Sequence, residues 1–329
     1  MKILHICAGW QKWNGAANIA RMIMDEQRRE GHEVSFATWA KVRELRAADE
    51  VWIHCGWLPC LWWAALWGRN VRWMPEACYD PVRLKFHGWK KWLVGPIVRW
   101  CLRRCSRIVA TCEAEAEWIR AYEPRVKSIE VTDIKRFFNL NPVNPGNPVK
   151  KDLHLLYLGR RHPLKGLSYL ETALATYYNK WSSAPSSLAP TTACADNPSS
   201  NPSRKAATYY NKCPIEFRVV SDAFGDELER VWDWCDVLVL PTLSENFGLV
   251  IAEALERGKC VITTDGAPAW GENLSRIERV DGGMWSGYGG RLIYLKGYRD
   301  GTPEDRVRLL KSAIENLLSR ASLTPPAAK

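Results

Sequence analysis

The sequence predicts an α/β protein made of two doubly wound domains in tandem. Three observations carry this. The first is a βαβ start. KILHIC (2–7) reads as a buried strand, and the loop AGWQKWNGAA leads into NIARMIMDEQRRE, whose apolar residues recur at helical spacing. Gly31 ends that helix and EVSFAT (33–38) is the next strand. Such a unit implies a parallel sheet with right-handed crossovers. The second is a restart of the same pattern after NLNPVNPGNPVKK (139–151), a Pro-, Asn- and Gly-rich linker. The third is size and balance: 329 residues, 47% hydrophobic and 25% charged, suffice for two cores.

In the first domain, further strands are expected at VWIH (51–54), VRWM (71–74), RIVATC (107–112) and KSIEV (127–131), with helices between most of them. Five Trp fall in VWIHCGWLPCLWWAALWG (51–68), a stretch without charge and near the lower length for a membrane span. His54, Gly56 and Pro59 interrupt it, so it reads as a strand, a turn and an apolar helix from Pro59. The second domain continues with HLLYLG (154–159), EFRVV (216–220), DVLVLP (236–241) and CVITT (260–264), then a helix near 303–320. ATYYNK occurs at 175–180 and again at 207–212, around a Ser-, Pro- and Ala-rich tract. That composition buries too little to fold. Residues 181–212 are expected to be a dispensable disordered loop. The boundaries expected are 1–138, the linker 139–151, 152–320, and a tail 321–329.

Formal net charge is +10. The chain should favour anionic partners such as nucleotide phosphates or an anionic membrane. No nucleic-acid-binding motif accompanies the charge, so nucleic acid is not expected. Eleven Cys is an odd count, and several (Cys7, Cys112, Cys235, Cys260) fall in expected core elements. No cleavable leader is expected, because MKILHICAGW runs straight into a strand and a Gly turn. Free thiols in a reducing cytoplasm are expected. Cys101, Cys105 and Cys112 lack the second pair that a zinc site needs. Residues 82–107 hold eight Lys or Arg and no acid, interleaved with Trp89, Trp92, Leu93, Ile97, Trp100 and Leu102. Two arrangements are open: a helix pair with its Trp residues packed inside, or an amphipathic segment lying on an anionic membrane. The second is the expectation.

Two stretches carry chemistry. In LLYLGRRHPLKGL (155–167) a strand ends at Gly159, and Arg160, Lys165 and Gly166 lead into a helix. Cations and free amides at a strand-to-helix turn suit phosphate; a solvated basic loop is the alternative. In SENFGLVIAE the loop Ser244–Gly248 follows the strand DVLVLP, and a helix carries Glu253. Strand carboxyl ends are where α/β sheets bind ligands. Spacing alone leaves Glu245 and Glu253 open as two ligand grips or as ordinary acids at a positive helix end.

Taken together, GR-x4-KG, the E-x7-E of SENFGLVIAEAL and RGKCVITTDGAPAW resemble the retaining glycosyltransferases of family 4, with the GT-B fold of two Rossmann-like domains facing a cleft. WNGAANIA, GHEV, IHCGW and RIVATCEAEAEWIR extend the resemblance over nearly all of 1–275, nearest to enzymes of bacterial lipopolysaccharide or exopolysaccharide synthesis. The resemblance implies sugar transfer with retention from a nucleoside-diphosphate sugar to a glycolipid or oligosaccharide acceptor, at the inner membrane face. It implies Arg160 and Lys165 on the diphosphate, Glu253 on the ribose, and Glu245 with the amides of Asn246, Phe247 and Gly248 on the donor sugar. Gly15 would let backbone approach the phosphates or acceptor. No cofactor and no metal are implied, since no D-x-D motif is present.

Departures exist. The usual His or Arg-Gly after the fourth strand is replaced by MPEACYDP (74–81), where Glu76 is the nearest polar candidate. His54 either faces the cleft or packs at its strand end. VTDIKRFF (131–138) replaces the usual Pro-Asn-Gly turn, and GGMWSGYGG (282–290) has no phosphate-loop pattern. The departures at 74–81 and 131–138 keep one rival reading, an inactive relative that binds glycan or membrane as a partner, and the shared two-domain fold keeps another, a nucleotide-sugar epimerase.

Overall fold

The computed structural model describes residues 1–7, 15–55, 57, 59–86, 88–140, 153–181, 215–272, 278–280 and 284–322. Most of the linker 139–151, nearly all of the loop 181–212 and the end of the tail lie outside them. The chain forms two compact units. The first holds Met1–Asn141 with Leu243–Glu256 and Asp265–Arg276; the second holds Pro142–Thr242, Arg257–Thr264 and Ile277–Lys329.

The sheet of the first unit has six parallel strands. They are β1 (Lys2–Cys7), β2 (Glu33–Ala37), β3 (Glu50–His54), β4 (Val71–Met74), β5 (Arg107–Ala110) and β6 (Ile129–Val131), in the order β2-β1-β3-β4-β5-β6. β1 and β3 are buried along nearly their whole length, as central parallel strands must be. The order reverses between β1 and β3, whose ends pair Cys7 with His54. A crevice opens at such a reversal, outside the strand carboxyl ends.

Helix α1 (Gly15–Arg29) buries Ile19, Ile23, Met24 and Gln27 at helical spacing. Arg28 and Arg29 in its last turn complement the negative helix end. α2 (Val42–Ala47) and α3 (Pro59–Trp67) follow, then α4 (Pro81–Lys85), α5 (Gly88–Arg104) and α6 (Glu113–Tyr122). Asp80 caps α4 by accepting from the Val82 amide at 2.8 Å. No helix among the described residues is long and apolar enough to cross a membrane. α5 buries Gly95, Val98, Cys101 and Leu102. It turns Trp89, Trp92, Leu93, Ile97 and Trp100 outward. The arrangement with the Trp residues packed inside is therefore not the one formed.

The second unit has β7 (Leu153–Leu158), β8 (Ile215–Val220), β9 (Val237–Leu240), β10 (Cys260–Thr264), β11 (Glu278–Val280), β12 (Met284–Gly287) and β13 (Leu292–Leu295), in the order β11-β12-β13-β10-β9-β7-β8. β8 to β13 through β7, β9 and β10 are parallel; β12 and β11 add an antiparallel edge. Within the Gly-rich GGMWSGYGG, Met284–Gly287 forms β12, which pairs with the edge strand β11 on one side and β13 on the other. Sequence periodicity did not show β11–β13, because strands of three or four residues between glycines leave no run to read. Here the strand order reverses between β7 and β9. α7 (Leu167–Trp181), α8 (Asp226–Trp234) and α10 (Pro303–Ser322) belong to this unit, while α9 (Leu249–Glu256) belongs to the first.

Candidate functional site

In the second unit, the reversal between β7 and β9 holds Arg160 and Lys165. The Tyr157 hydroxyl donates to the Arg160 carbonyl at 2.9 Å and steadies the start of the loop. Pro163–Lys165 forms a 3-10 turn, capped by Nδ1 of His162 accepting from the Leu164 amide at 3.2 Å. Gly166 then adopts φ +65° and sits against Pro241. The Thr242 hydroxyl donates to the Leu164 carbonyl at 3.0 Å, and the Thr264 hydroxyl donates to the Thr242 carbonyl. The loop after β7 is therefore fixed to the end of β9. It presents exposed Arg160 and half-buried Lys165 just ahead of the α7 N-terminus. Side-chain cations and free helix amides in one place can take a phosphate.

In the first unit, SENFG forms a loop ahead of α9. The Glu245 amide donates to the Gly266 carbonyl at 2.7 Å. Trp270 Nε1 donates to the Phe247 carbonyl at 2.6 Å, and Phe247 stacks on Phe138. Gly248 has φ +75° and packs against Glu245, where an added Cβ would come 3.2 Å from Glu245 Cγ. Glu245, Asn246 and Glu253 are half-buried; Phe247 and Gly248 are buried. Gly15 is exposed at the start of α1, and a Cβ on it would lie 4.0 Å from Leu249 at the start of α9. Two positive helix ends thus approach each other.

Ser244 is completely buried and is tied to the segment after β4. Its hydroxyl donates to Asp80 Oδ2 and accepts from Arg83 Nε at 2.9 Å. The Glu115 carboxylate accepts from the Ala77 amide at 2.5 Å and the Thr111 amide at 2.7 Å. The Thr111 hydroxyl lies 2.8 Å from Glu115 and 3.0 Å from Asn246. Both partner atoms are acceptors, Oε2 of Glu115 and Oδ1 of Asn246, and a hydroxyl has one proton, so it donates to one of them at a time. Asp80, Arg83, Thr111, Glu115 and Ser244 were not singled out from sequence; a buried Ser or Asp in a loop carries no periodic signal.

The ends of β3 and β4 bring His54 and Glu76 together, with Nδ1 and Oε1 3.3 Å apart. Nε2 of His54 lies 3.1 Å from Nδ1 of His5, and Nε2 of His5 lies 2.8 Å from Oε1 of Gln27. Burial holds both rings down at a pKa of about 3, with His54 adding to the effect on His5. Burial pushes the Glu76 carboxyl up to about 8, against the pull of Arg83. Cys55, Glu76 and Ala77 all have φ between +57° and +70°. Such backbone is costly for residues with a Cβ and gathers at functional sites. His5 was missed because a lone His inside KILHIC reads as a strand residue. Among the described residues, no group of three or more His, Cys, Asp or Glu is placed to hold a metal ion, and Cys7, Cys55, Cys78, Cys101, Cys105, Cys112, Cys235 and Cys260 are thiols outside any disulfide.

Residues 36–132 match a family model described as a glycosyl transferase 4-like domain, and residues 152–278 match one described as glycosyl transferases group 1. Sucrose-phosphate synthase from Thermosynechococcus elongatus is similar in structure, with a TM-score of 0.62 and 12% identity over 98% of this chain and 90% of that one. The Anabaena protein HepE, solved with UDP-glucose, has a TM-score of 0.54 and 15% identity over 98% and 93%. At these identities the likeness speaks for the fold. No curated protein matches the chain by sequence.

Proposed function

Because the chain belongs to the group 1, family 4-like glycosyltransferases of GT-B fold, we propose that it moves a sugar, with retention, from a nucleoside-diphosphate sugar to a glycolipid or polysaccharide precursor of the bacterial cell surface. The observation that carries the donor reading is the loop after β7. Gly166, Thr242 and the 3-10 turn fix it, and it presents Arg160 and Lys165 beside a helix N-terminus. In this reading those two cations hold the diphosphate and stabilise the charge that develops on it as the glycosyl bond breaks. Glu253 holds the ribose. Glu245 and the amides of Asn246, Phe247 and Gly248 hold the donor sugar. Gly15 gives backbone access to phosphate or acceptor; His54, completely buried, packs at its strand end rather than facing a cleft, and Glu76 is buried beside it. The reading requires no divalent metal, so transfer should survive a chelator.

The acceptor reading rests on α5. Trp89, Trp92, Leu93, Ile97 and Trp100 are exposed at helical spacing along one stripe, with Trp92 81% exposed. Lys85, Lys90, Arg99, Arg103 and Arg104 flank it, and no acid lies in 82–107. Apolar burial plus about 1 kcal/mol per basic residue near an anionic surface favours membrane contact. We place the chain in the cytoplasm, peripheral at the inner membrane face, where a glycolipid acceptor would be presented.

The test is release of free nucleoside diphosphate from a panel of nucleotide-sugars, with and without a glycolipid acceptor. Acceptor-dependent release supports the proposal. Donor binding without turnover would instead point to an inactive relative, and an altered free sugar without acceptor to an epimerase. Calorimetry showing no binding of any nucleotide-sugar would overturn the donor reading itself.

A further inference from the structure

Where the first sheet reverses strand order, four buried side chains form one line: Gln27 on α1, His5 on β1, His54 at the end of β3 and Glu76 after β4. Ring stacking holds the imidazoles in place. Trp52 stacks on His5 with centroids 5.6 Å apart, and His5 stacks on His54 at 5.3 Å.

The protons on this line follow from counting. A neutral imidazole has one donor nitrogen and one acceptor nitrogen. Gln27 turns Oε1, an acceptor, toward Nε2 of His5. That nitrogen therefore carries the proton, and Nδ1 of His5 is an acceptor. Nε2 of His54 must then donate to it, which leaves Nδ1 of His54 as an acceptor. Its partner is a carboxyl oxygen of Glu76. Two acceptors do not bond, so Glu76 carries a proton. Protonating either ring instead is opposed by complete burial, since an imidazolium there would lose its hydration.

We propose that Gln27, His5, His54 and Glu76 act as one directional hydrogen-bond chain that keeps a proton on Glu76, and that ionisation of Glu76 reverses every link. In the reversed state the carboxylate accepts from Nδ1 of His54, and Nε2 of His54 accepts from Nδ1 of His5. Nε2 of His5 then accepts from the side-chain amide of Gln27, which has made a half-turn. The proton from Glu76 leaves to solvent, and each ring keeps one proton. Gln27 and His5 are thus positioning residues that set the charge of a carboxyl at the end of β4.

The groups around Glu76 divide between the two states. Arg83 on α4 favours the carboxylate. The Cys55 thiol, which donates to Oε2, favours it as well, and burial opposes it; a charged Glu76 in turn pushes up the Glu115 carboxyl on α6 and the Cys55 and Cys78 thiols. Arg28 on α1 acts on His5 against an imidazolium. The balance places the reversal at a pH of about 8.

The proposal stands apart from the donor reading, and its test needs no activity. Imidazole nitrogen NMR on the full chain, labelled at histidine, distinguishes the two tautomers. At about pH 6.5 both buried rings should carry the proton on Nε2. Above a midpoint of about 8 both should move to Nδ1 together. Glu76→Gln, which has no titrating proton at position 76, should abolish the concerted tautomer shift near pH 8 and leave the ring tautomers independent of pH there. Gln27→Glu, an isostere whose carboxylate can only accept, should hold both rings in the Nε2 form past the wild-type midpoint. Nδ1 protonation near neutrality, imidazolium at either ring, or tautomers that shift separately would overturn the proposal.

Discussion

Gly166 lies against Pro241 so closely that a Cβ on it would come within 1.9 Å of the Pro241 carbonyl oxygen. The contact joins the loop after β7 to the end of β9, and Gly166 also has φ +65°. Gly166→Ala therefore meets backbone and strain at once, and neither can yield without moving the loop that carries Lys165. The expected cost is about 3 kcal/mol or more, read as a lowered denaturation midpoint. Gly31 is the control. Its φ is +85° but nothing lies within 4 Å of its would-be Cβ, so Gly31→Ala should cost only about 1 kcal/mol. Equal costs at the two sites would show that the Pro241 contact is not limiting.

Ser244 satisfies two charged groups, so its hydroxyl matters more than its size suggests. Ser244→Ala leaves the buried Asp80 carboxylate short of a donor and Arg83 Nε short of an acceptor. The expected loss is about 2 kcal/mol. Ser244→Thr, if its methyl is accommodated, should recover most of it. Unchanged stability in Ser244→Ala would mean that solvent takes over both bonds.

The legibility of this chain follows from period and length. Strands such as VRWM and CVITT are buried on both faces and flanked by breakers, and they form with the expected bounds. α9 begins at Leu249 and carries Glu253, as its pattern indicates. By contrast, the links from Asp80 to Ser244 and from Thr111 to Asn246 span 164 and 135 residues. No local pattern encodes a partner at that distance. His5 is a further case. Within KILHIC it fits a strand, and only the neighbouring strand shows that its ring meets His54 rather than apolar core.

Arg160, Lys165 and Glu253 should separate in their kinetic effects. If the first two stabilise the leaving diphosphate, Arg160→Ala and Lys165→Ala should lower kcat by about 10-fold to 1000-fold. If Glu253 holds the ribose, Glu253→Ala should chiefly raise KM for the donor, because such a contact is made equally before and during transfer. Single-turnover release of nucleoside diphosphate reads both. A pure KM effect in Lys165→Ala would remove it from the reaction step.

The stripe on α5 predicts a binding phenotype without a folding phenotype. Trp89 and Trp92 are 69% and 81% exposed. Replacing both by Ser should leave thermal stability within about 0.5 kcal/mol. It should also reduce sedimentation with vesicles containing anionic lipid by about 10-fold or more. Neutral vesicles or high salt should weaken wild-type binding in the same assay, since screening removes the cationic share. Full binding by the double variant to anionic vesicles would exclude this face as the contact.

Stability should peak near pH 6.5, for reasons that lie in the buried line of His5, His54 and Glu76. Both histidines fold with a pKa near 3, below their ordinary 6.5. Between those values the unfolded chain binds protons that the native chain refuses, so stability falls as pH drops below 6.5. Glu76 works in the opposite sense. Its carboxyl keeps its proton up to about 8 when folded but loses it near 4.5 when unfolded. Its contribution is full below 4.5 and lost as pH rises to 8. From 4.5 to 6.5 the two histidines outweigh Glu76 alone, and the raised Glu115 carboxyl flattens the slope in the same direction as Glu76. Above 6.5 the histidine contribution is exhausted and Glu76 continues, lowering stability by about 2 kcal/mol by pH 8 at about 1.4 kcal/mol per unit. Urea denaturation in a pH series measures this directly. Glu76→Gln should remove that part of the alkaline decline while leaving the acid side in place, since the histidine contribution does not depend on a proton at position 76. A variant that loses the acid limb instead would show that the carboxyl, not the imidazoles, titrates there.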